Sequence, residues 1–220
     1  MLDYGFYNMD CMEGMSRFPD KYFDIAIVDP VYGDVTKGGW NSNKGGGIAR
    51  RNIYHTALWD QSKTGADYFA ELFRVSKNAI VWGGNYFAEF LPCSQGWIVW
   101  DKRHAPGVTF ADAELAWTSY NVATRIYRFK WAGMLQEDMK NKEHRIHPTQ
   151  KPVNLYEWIL LNYADENAVV LDTHVGSASS LIACHNLKHN YVGFEIDPVY
   201  YEAAKKRLEA ETAQKTIFDY

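Results

Sequence analysis

Residues 169–180 read VVLDTHVGSASS, and this stretch decides the fold. An apolar strand ends in Asp172, a tight turn follows at Gly176, and a helix begins directly after the turn. Such a turn lets backbone approach a ligand and points free helix N–H groups at it. The next strand, within YVGFEID at 191–197, ends in Glu195, where a carboxylate commonly binds ribose hydroxyls. This order predicts a βαβ unit for an adenosine-containing cofactor, and an ordinary structural crossover is the alternative.

Strands and helices alternate along the rest of the chain. Apolar runs predict strands at 5–10, 24–29, 78–82, 97–100, 168–172 and 191–195. Helical spacing predicts helices at 13–18, 66–76, 86–91, 152–163, 179–186 and 199–213. The alternation predicts an α/β fold with an open, mostly parallel sheet covered on both faces. Strands at 114–120 and 124–129 predict an antiparallel hairpin at one edge.

Composition restricts the class of protein. A chain of 220 residues suits a single domain, 1–220, and 47% hydrophobic with 15% aromatic residues indicates an ordered globular protein. No run of apolar residues is long enough for a transmembrane helix, so no membrane association is expected. The formal net charge of −4 argues against a strongly basic nucleic-acid binder, although it permits a local basic surface.

The cysteines and histidines predict no metal site. Cys11, Cys93 and Cys184 are odd in number and far apart, which favours neither a disulfide framework nor zinc, and the histidines show no ligand spacing. The first residues contain no basic region followed by an apolar core, so no signal peptide is expected. A reducing cytoplasm is therefore the expected location.

A second group of chemical residues follows the apolar run 23–28. Residues 29–32 read DPVY. Asp29 supplies a carboxylate, Pro30 a carbonyl without a competing N–H, and Tyr32 an aromatic face. Two acceptors and a stacking surface can hold a flat ring that carries an amino group. In isolation, the same residues also suit a strand-end turn with a packed aromatic.

Two further segments carry recognisable patterns. Residues 33–58 are rich in glycine and contain no acidic residue from Val35 onward, which predicts a long functional loop, with a disordered solvated insert as the alternative. Residues 147–152 read HPTQKP and precede a helix, so Thr149 and Gln150 could bind a carboxylate or an ammonium group.

Taken together, these motifs resemble the amino-group DNA methyltransferases of the beta group. That group is circularly permuted, so its catalytic motif precedes its cofactor motif, as DPVY precedes VVLDTHVGS here. The resemblance rests on DPVY at 29–32, HPTQKP at 147–152, LDTHVGS at 171–177, GFE at 193–195 and YNMDCM at 7–12. The segments WGGNYF, WIVWDK and AELAW at 82–87, 97–102 and 113–117 resemble small phage and prophage members. The resemblance spans nearly the whole chain, and the six-residue HPTQKP match is its most specific part.

The chain departs from the family pattern in two places. Val31 stands where the catalytic motif usually has a second proline. The cofactor motif usually reads Asp-Pro-Phe and then Gly-Ser-Gly, whereas this chain has DTH at 172–174 and GSA at 176–178. Ala178 lacks the conformational freedom of glycine at a turn.

The resemblance implies a Rossmann-like fold that uses S-adenosyl-L-methionine as methyl donor. Asp29, Pro30 and Tyr32 would be catalytic: they would grip the amine of a base flipped out of the duplex, with Tyr32 stacked on the ring. Glu195 would hold the ribose hydroxyls and Asp10 the adenine amine of the cofactor. The full set of cofactor-binding residues implied is Asp10, Cys11, Asp29, His147, Thr149, Gln150, Lys151, Asp172, Thr173, Gly176, Ser177, Glu195 and Ile196.

The implied partner is DNA, contacted by the loop 33–58 and by segment 101–147 as insertions within the one domain. The basic residues expected to meet phosphates are Lys37, Lys44, Arg50, Arg51, Lys102 and Arg103. A solvated surface is the alternative for each basic set. A homodimer is expected by resemblance alone.

Several functions are compatible with these motifs. Tyr32 favours adenine as the target, since members that methylate cytosine at N4 more often have serine there. N4-cytosine methylation is the first alternative. The altered turn at Ala178 and the presence of Val31 suit a non-catalytic cofactor- or nucleic-acid-binding subunit. A dehydrogenase would use an adenosine cofactor but would not need DPVY or HPTQKP.

Overall fold

The computed structural model describes residues 1–33, 64–104, 111–132 and 135–215. Most of the predicted loop 33–58 falls outside these ranges, together with the basic residues predicted on it, which are Lys37, Lys44, Arg50 and Arg51. Each helix in the described ranges is either too short or too polar to cross a bilayer.

An eight-stranded sheet organises the described chain. In chain order its strands are β1 Gly5–Asn8, β2 Phe23–Val28, β3 Ser76–Trp82, β4 Trp97–Asp101, β5 Ala113–Thr118, β6 Arg125–Arg128, β9 Val169–Asp172 and β10 Asn190–Glu195. Two short strands, β7 Trp131–Ala132 and β8 Leu135–Gln136, pair separately. The helices are α1 Cys11–Ser16, α2 Ala66–Val75, α3 Val153–Tyr163, α4 Ser179–Asn186 and α5 Pro198–Lys215.

The order across the sheet is β1-β10-β9-β2-β3-β5-β4-β6. Only β5 runs against the other strands of this sheet, because it pairs antiparallel with both β3 and β4 while every other pairing is parallel. The prediction of a mostly parallel α/β sheet with an antiparallel hairpin is therefore confirmed, although the strands that form the hairpin are β4 and β5.

Alternation along β2 explains why helices cover both faces of the sheet. Ala26 and Val28 lie in the core beneath α1 and α2, whereas Ile25 and Ile27 lie in the core beneath α3 and α4. Successive side chains of a strand point to opposite faces, so a run such as FDIAIV needs a hydrophobic layer on each side. A third cluster, around Leu181, joins α4 to α5.

The strands predicted at 114–120 and 124–129 form, but they do not pair with each other. β4 lies between them, antiparallel to β5 and parallel to β6. The reason is burial: Ile98 and Trp100 of β4 are covered, whereas Arg125 and Arg128 of β6 are exposed. A strand with buried side chains takes the inner position, and a strand with charged side chains suits the edge.

The helix predicted at 86–91 is replaced by a short 3₁₀ helix, Gly84–Tyr86, followed by a turn. Gly83 opens it with φ 65°, a left-handed conformation that glycine adopts without strain. Packing of the fully buried Phe87 fixes this compact turn, since a helix of six residues has little stability of its own.

The sheet brings the predicted motifs to one edge. The parallel strands β1, β10, β9, β2 and β3 all end there. From β9 the chain crosses through α4 to β10 on one side, and from β2 it crosses through α2 to β3 on the other side. Such a switch point opens a crevice at the carboxyl ends of the strands, where open α/β sheets bind ligands.

We expect Gly14→Ala to destabilise the protein, although alanine is normally the better helix former. A Cβ at Gly14 would lie 2.4 Å from the ring of Phe194, which is fully buried. Overpacking of about 1–3 kcal/mol outweighs a propensity gain of about 1 kcal/mol. Urea unfolding measures the difference, with Ser16→Ala on the exposed side of the same helix as a control that should not lose stability. A more stable Gly14→Ala protein would contradict the packing.

Candidate active site

The cofactor turn is tied to the end of β10 by a buried carboxylate. Glu195 accepts hydrogen bonds from the backbone N–H of Gly176 (2.9 Å) and of Asp197 (3.0 Å). Gly176 has φ 55°, so the absence of a side chain allows this turn. Burial raises the pKa of Glu195, with the two backbone donors opposing it. The structure thus brings Gly176 and Glu195 together, as the βαβ order predicts.

Ala178, which departs from the family pattern, keeps the backbone shape of a glycine. Its φ is 63° and its ψ 17°, and it is fully buried at the start of α4. A left-handed alanine carries strain of about 1–2 kcal/mol. The turn before α4 is therefore formed despite the substitution.

Asp172 lies at the end of the adjacent strand β9 and is almost fully buried. It accepts from the N–H of His174 at 3.0 Å and from the hydroxyl of Ser180. Burial raises the pKa of Asp172 to about 7. The neighbouring Thr173 hydroxyl contacts the Tyr68 hydroxyl at 2.6 Å and His174 Nδ1 at 2.8 Å. This edge of the sheet therefore holds a carboxyl group whose charge is costly at neutral pH.

Asp10 and Cys11 begin α1 beside the same edge. Asp10 Oδ1 accepts from the N–H of Met12 (2.8 Å) and of Glu13 (3.2 Å), which makes it the N-cap. The N–H of Met9 donates to the Glu195 carbonyl at 3.2 Å, so the start of α1 lies next to the end of β10. Burial, then Asp10, raises the pKa of Cys11 to about 12, so its thiol stays protonated.

The HPTQKP segment packs its histidine against the cofactor turn. The His147 ring stacks edge-on against Tyr200 (centroids 4.3 Å apart), and a Cβ at Gly176 would lie 3.4 Å from its Nδ1. Nδ1 accepts from the Thr149 hydroxyl or N–H, at 3.0 and 3.4 Å. Burial lowers the pKa of His147 to about 4. Within the described part of the chain, Nε2 is buried without a hydrogen-bond partner.

The other predicted residues of this region differ in exposure. Gln150 is buried and uses its side-chain amide within its own loop, accepting from Ile146 N–H at 2.9 Å and donating to the His144 carbonyl at 3.2 Å. Thr149 and Ile196 are exposed. Gln150 thus holds the shape of the segment that presents His147.

Lys151, predicted with the cofactor residues, lies against the catalytic motif. Its Nζ donates to Asp29 Oδ2 and lies 3.4 Å from Glu114 Oε2, and its side chain is 3% exposed. Asp29 Oδ1 accepts from the Tyr32 hydroxyl. The sequence pattern missed this because Lys151 and Asp29 are distant in the chain. The sequence feature that could have indicated this cluster is the acidic residue Glu114 within an otherwise apolar strand.

Aromatic rings surround Tyr32. Its ring stacks on Tyr86 with centroids 4.9 Å apart and meets Phe87 edge-on at 5.8 Å. A Cβ at Gly83 would lie 2.2 Å from the Tyr32 ring, so only glycine permits this approach. Burial, then Asp29, raises the pKa of Tyr32 well above its ordinary value. Its hydroxyl is thus held as a donor to Asp29.

The predicted DNA-contacting residues Lys102 and Arg103 have acidic partners. Lys102 forms an ion pair with Glu114, and Arg103 lies 2.9 Å from Glu137. Lys102 is mostly buried, whereas Arg103 is half-exposed. Neither side chain is an unpaired cation, so phosphate would have to compete with a carboxylate for each.

Sequence reasoning also missed a bridge behind the cofactor turn. Arg207 of α5 donates to the Ser177 carbonyl at 2.7 Å, to the Ser179 hydroxyl at 2.9 Å and to Glu143 at 2.7 Å. Glu143 in turn accepts from the N–H of Val153 at the start of α3. This bridge connects the cofactor turn with the helix that follows HPTQKP.

These residues fit an adenosine-containing cofactor. The buried Glu195 carboxylate retains lone pairs beyond its two backbone contacts, which suits hydroxyl donors. The glycine turn leaves room for close approach of a ligand. His147 Nε2 has no hydrogen-bond partner among the described residues and can donate to a ligand, because Nδ1 accepts from the Thr149 N–H. The described residues contain no group of His, Cys, Asp and Glu arranged to hold a metal ion.

Comparisons with known proteins point to one family. A family model described as DNA methylase, N6_N4_Mtase, matches residues 81–206, more than half of the chain. The chain is 42% identical over 71 residues to the type II methyltransferase M.HpaI of Haemophilus parainfluenzae. That match covers 32% of this chain and 23% of the relative, so the chain spans under a quarter of that protein in the alignment.

Solved structures share the fold. The M1.HpyAVI–SAM complex superposes with a TM-score of 0.57 at 20% identity, covering 92% of this chain and 98% of that one. The PvuII DNA methyltransferase, described as cytosine-N4-specific, has a TM-score of 0.59 at 12% identity and covers 97% and 93%. At such identities the likeness is one of architecture.

We expect the free energy of unfolding of the Asp172→Asn variant to increase relative to that of the wild-type protein as pH rises. The folded pKa of about 7 lies above the ordinary value of 3.8, so the folded state holds a proton that the unfolded state releases. Stability from this group is present at low pH and is lost as pH rises through 7. Between pH 5 and 8 the asparagine variant should therefore gain on the order of 2 kcal/mol relative to wild type.

Urea unfolding of both proteins at pH 5 and pH 8 measures this change. Comparison at equal pH cancels the histidines, whose lowered pKa values act in the opposite direction. Ser180→Ala removes a donor to the carboxylate and should lose more stability at pH 8 than at pH 5. An Asp172→Asn difference that is equal at both pH values would contradict the assignment.

Proposed function

This chain belongs to the N6_N4_Mtase family of DNA methylases, and from that premise we propose that it transfers a methyl group from S-adenosyl-L-methionine to the exocyclic amine of a flipped adenine in DNA. The observation that carries the proposal is the meeting of two motifs at one sheet edge. β2 pairs with β9, so Asp29 and Asp172 follow adjacent strand ends. An amine held by Asp29 would therefore lie beside a cofactor held at the Gly176 turn.

The cofactor would be held by residues at the ends of β1, β9 and β10. Glu195 would accept from the ribose hydroxyls, and Asp10, whose Oδ1 caps α1, would accept from the adenine amine. His147 would donate from Nε2, and Gly176 and Ser177 would line the approach. Asp172, Thr173 and Thr149 would lie near the methionine part, with Cys11 and Ile196 near the adenine and Gln150 supporting the segment. S-adenosyl-L-methionine supplies an electrophilic methyl group, and the M1.HpyAVI complex with this cofactor supports the choice.

On the acceptor side, the chain orients the amine and uses no covalent intermediate. Asp29 and the Pro30 carbonyl would accept the two amine hydrogens, and Tyr32 would stack on the base. These hydrogen bonds draw the lone pair of the amine nitrogen out of conjugation with the ring and direct it toward the methyl carbon. When bound, S-adenosyl-L-methionine would supply its methyl group to that lone pair and leave as the thioether, and the amine proton would pass along its hydrogen bond to Asp29.

DNA contact is proposed for the loop 33–58 and for segment 101–147. A base inside a duplex cannot reach Asp29, so the target must leave the stack, at a cost of a few kcal/mol. Within the described residues Arg103 is the more accessible of the two basic predictions, since Lys102 is mostly buried beside Glu114. Self-association into a homodimer remains part of the proposal and rests on resemblance to the family alone.

Cytosine methylated at N4 is the second candidate target. The family model names both amines, and a cytosine-N4-specific enzyme shares the fold. The aromatic ring of Tyr32 favours a purine, because a purine offers more area for stacking than a pyrimidine does.

Transfer of labelled methyl groups tests the function directly. Unmethylated DNA is incubated with the protein and S-adenosyl-L-methionine labelled in the methyl group, digested to nucleosides and separated. We expect label in N6-methyl-2′-deoxyadenosine, and label in N4-methyl-2′-deoxycytidine would move the target to cytosine. Asp29→Ala should reduce transfer at least about 100-fold, because the amine loses its charged acceptor. Full activity of that variant would sink the mechanism.

Cofactor binding has its own test. Glu195→Gln should weaken S-adenosyl-L-methionine binding by about 10-fold or more in calorimetric titration, because a neutral amide replaces a charged acceptor of the ribose hydroxyls. Asp197→Asn is the matched control. Asp197 caps α5 through the N–H groups of Val199 (2.8 Å) and Tyr200 (3.2 Å), and asparagine caps equally well. Equal affinity losses in both variants would argue against a ribose contact at Glu195.

A further inference from the structure

We propose that Lys151 and Glu114 are positioning residues for the methyl acceptor: Lys151 holds the Asp29 carboxylate in one orientation, and Glu114 holds Lys151. The inference rests on the proposed function, because Asp29 is assigned there as the acceptor of the amine hydrogens. On this proposal Lys151, the lysine of HPTQKP, acts where the target nucleobase would bind.

Three segments distant in the chain meet at this cluster. Ile25 and Ile27 of β2 pack in the core beneath α3. Asp29 comes two residues after Ile27, so it continues the same face of the strand. Glu114 of β5 shares a strand face with Ala116, which belongs to the same core. Lys151 precedes α3 and projects its ammonium between the two carboxylates, 5.2 Å from the centroid of Trp82. The cluster is therefore built into the face of the sheet beneath α3.

The charges in the cluster depend on one another. Lys151 is 3% exposed and Asp29 16%, so neither charge is well hydrated. Burial opposes the charge on Lys151, but Asp29 and then Glu114 outweigh it and raise the pKa of Lys151. Burial likewise opposes the charge on Glu114, but Lys151 and Lys102 outweigh it and lower the pKa of Glu114. Removal of the central ammonium would leave two carboxylates facing one another.

The hydrogen bonds also fix the direction of the Asp29 carboxylate. Tyr32 donates to Oδ1 and Lys151 donates to Oδ2, so the group is held from both sides. Each carboxylate oxygen has a further lone pair, which leaves room for an amine hydrogen. Lys151 is itself held in place because Gln150, the residue before it, anchors its loop.

Other titratable groups act on the cluster from neighbouring elements. Lys102 pairs with Glu114 from the end of β4. The groups that influence or are influenced by Asp29 are Tyr32, Tyr68, His147, Tyr156, Asp172 and His174. They remain in every variant below, so differences among the variants report the charges of Lys151 and Glu114.

The pH dependence of kcat distinguishes this role from a merely structural one. Lys151→Met removes the cation that lies between two carboxylates, so the acid limb of kcat should move up by about one pH unit or more. Glu114→Gln removes a negative charge and should move the limb down or leave it unchanged. The double variant removes both charges and should return the limb toward wild type, with kcat partly rescued from a loss of about 10- to 100-fold in Lys151→Met.

Two further comparisons complete the experiment. Lys77→Met removes a lysine that pairs with Asp24 at the other end of β2 and β3, at 2.6 Å, and should change neither kcat nor the acid limb. Calorimetric affinity for S-adenosyl-L-methionine should change little in Lys151→Met. A loss of that affinity without movement of the acid limb would make Lys151 a cofactor residue and overturn the proposal. A Lys151→Met protein with the kcat and the acid limb of the wild-type protein would overturn the proposal as well.

A catalysis-independent readout separates this inference from the proposed function. If the wild-type protein transfers no methyl group to DNA, the proposed function fails. Urea unfolding still tests the cluster. Lys151→Met should lower the urea midpoint more at pH 8 than at pH 5, because repulsion between carboxylates that have lost their cation is weaker in acid. The double variant should recover part of that loss. Equal losses at both pH values, without recovery, would overturn the ion-pair cluster.

Discussion

Parallel pairing of β2 with β9 and β3 is the constraint on which the rest of the molecule depends. Parallel strands require crossovers through helices, so their carboxyl ends meet at one edge of the sheet. Asp29 and Asp172, which are distant in the chain, therefore come to adjacent strand ends. The same pairing places one hydrophobic core on each face, and α3 closes the face on which Lys151 meets Asp29.

The edge concentrates buried charge, and the protein manages each case differently. Glu195 is held by backbone N–H groups, Asp29 by an ammonium and a phenol, and Asp172 by a hydroxyl and one N–H. Asp172 has the weakest compensation, which is why burial dominates its pKa. Donor groups of a bound cofactor would compensate these buried carboxyl groups further. The energetic cost of burying them at this edge would therefore favour cofactor binding.

Local patterns predicted the regular elements well wherever local physics decides them. α4 was predicted at 179–186 and forms as Ser179–Asn186, because the turn before it and the apolar spacing within it are both local signals. The hairpin at 114–129 and the helix at 86–91 were wrong, because burial of β4 and of Phe87 decided both. For the site, Gly176 and Glu195 meet as the βαβ pattern predicts, whereas the partners of Lys102 and Lys151 were not predictable from spacing.

By itself, the sequence determined the fold class, the order of its motifs and the identity of the chemical groups at the strand ends. Those properties follow from periodicity and from residue types, which are carried by short stretches of chain. Only the tertiary structure decided that Lys151 faces Asp29 and Glu114, that Gly83 and Tyr86 enclose Tyr32, and that Arg207 supports the cofactor turn. Contacts of this kind join residues far apart in the chain, and they form only after the packing of helices on the sheet has fixed which side chains share a buried volume.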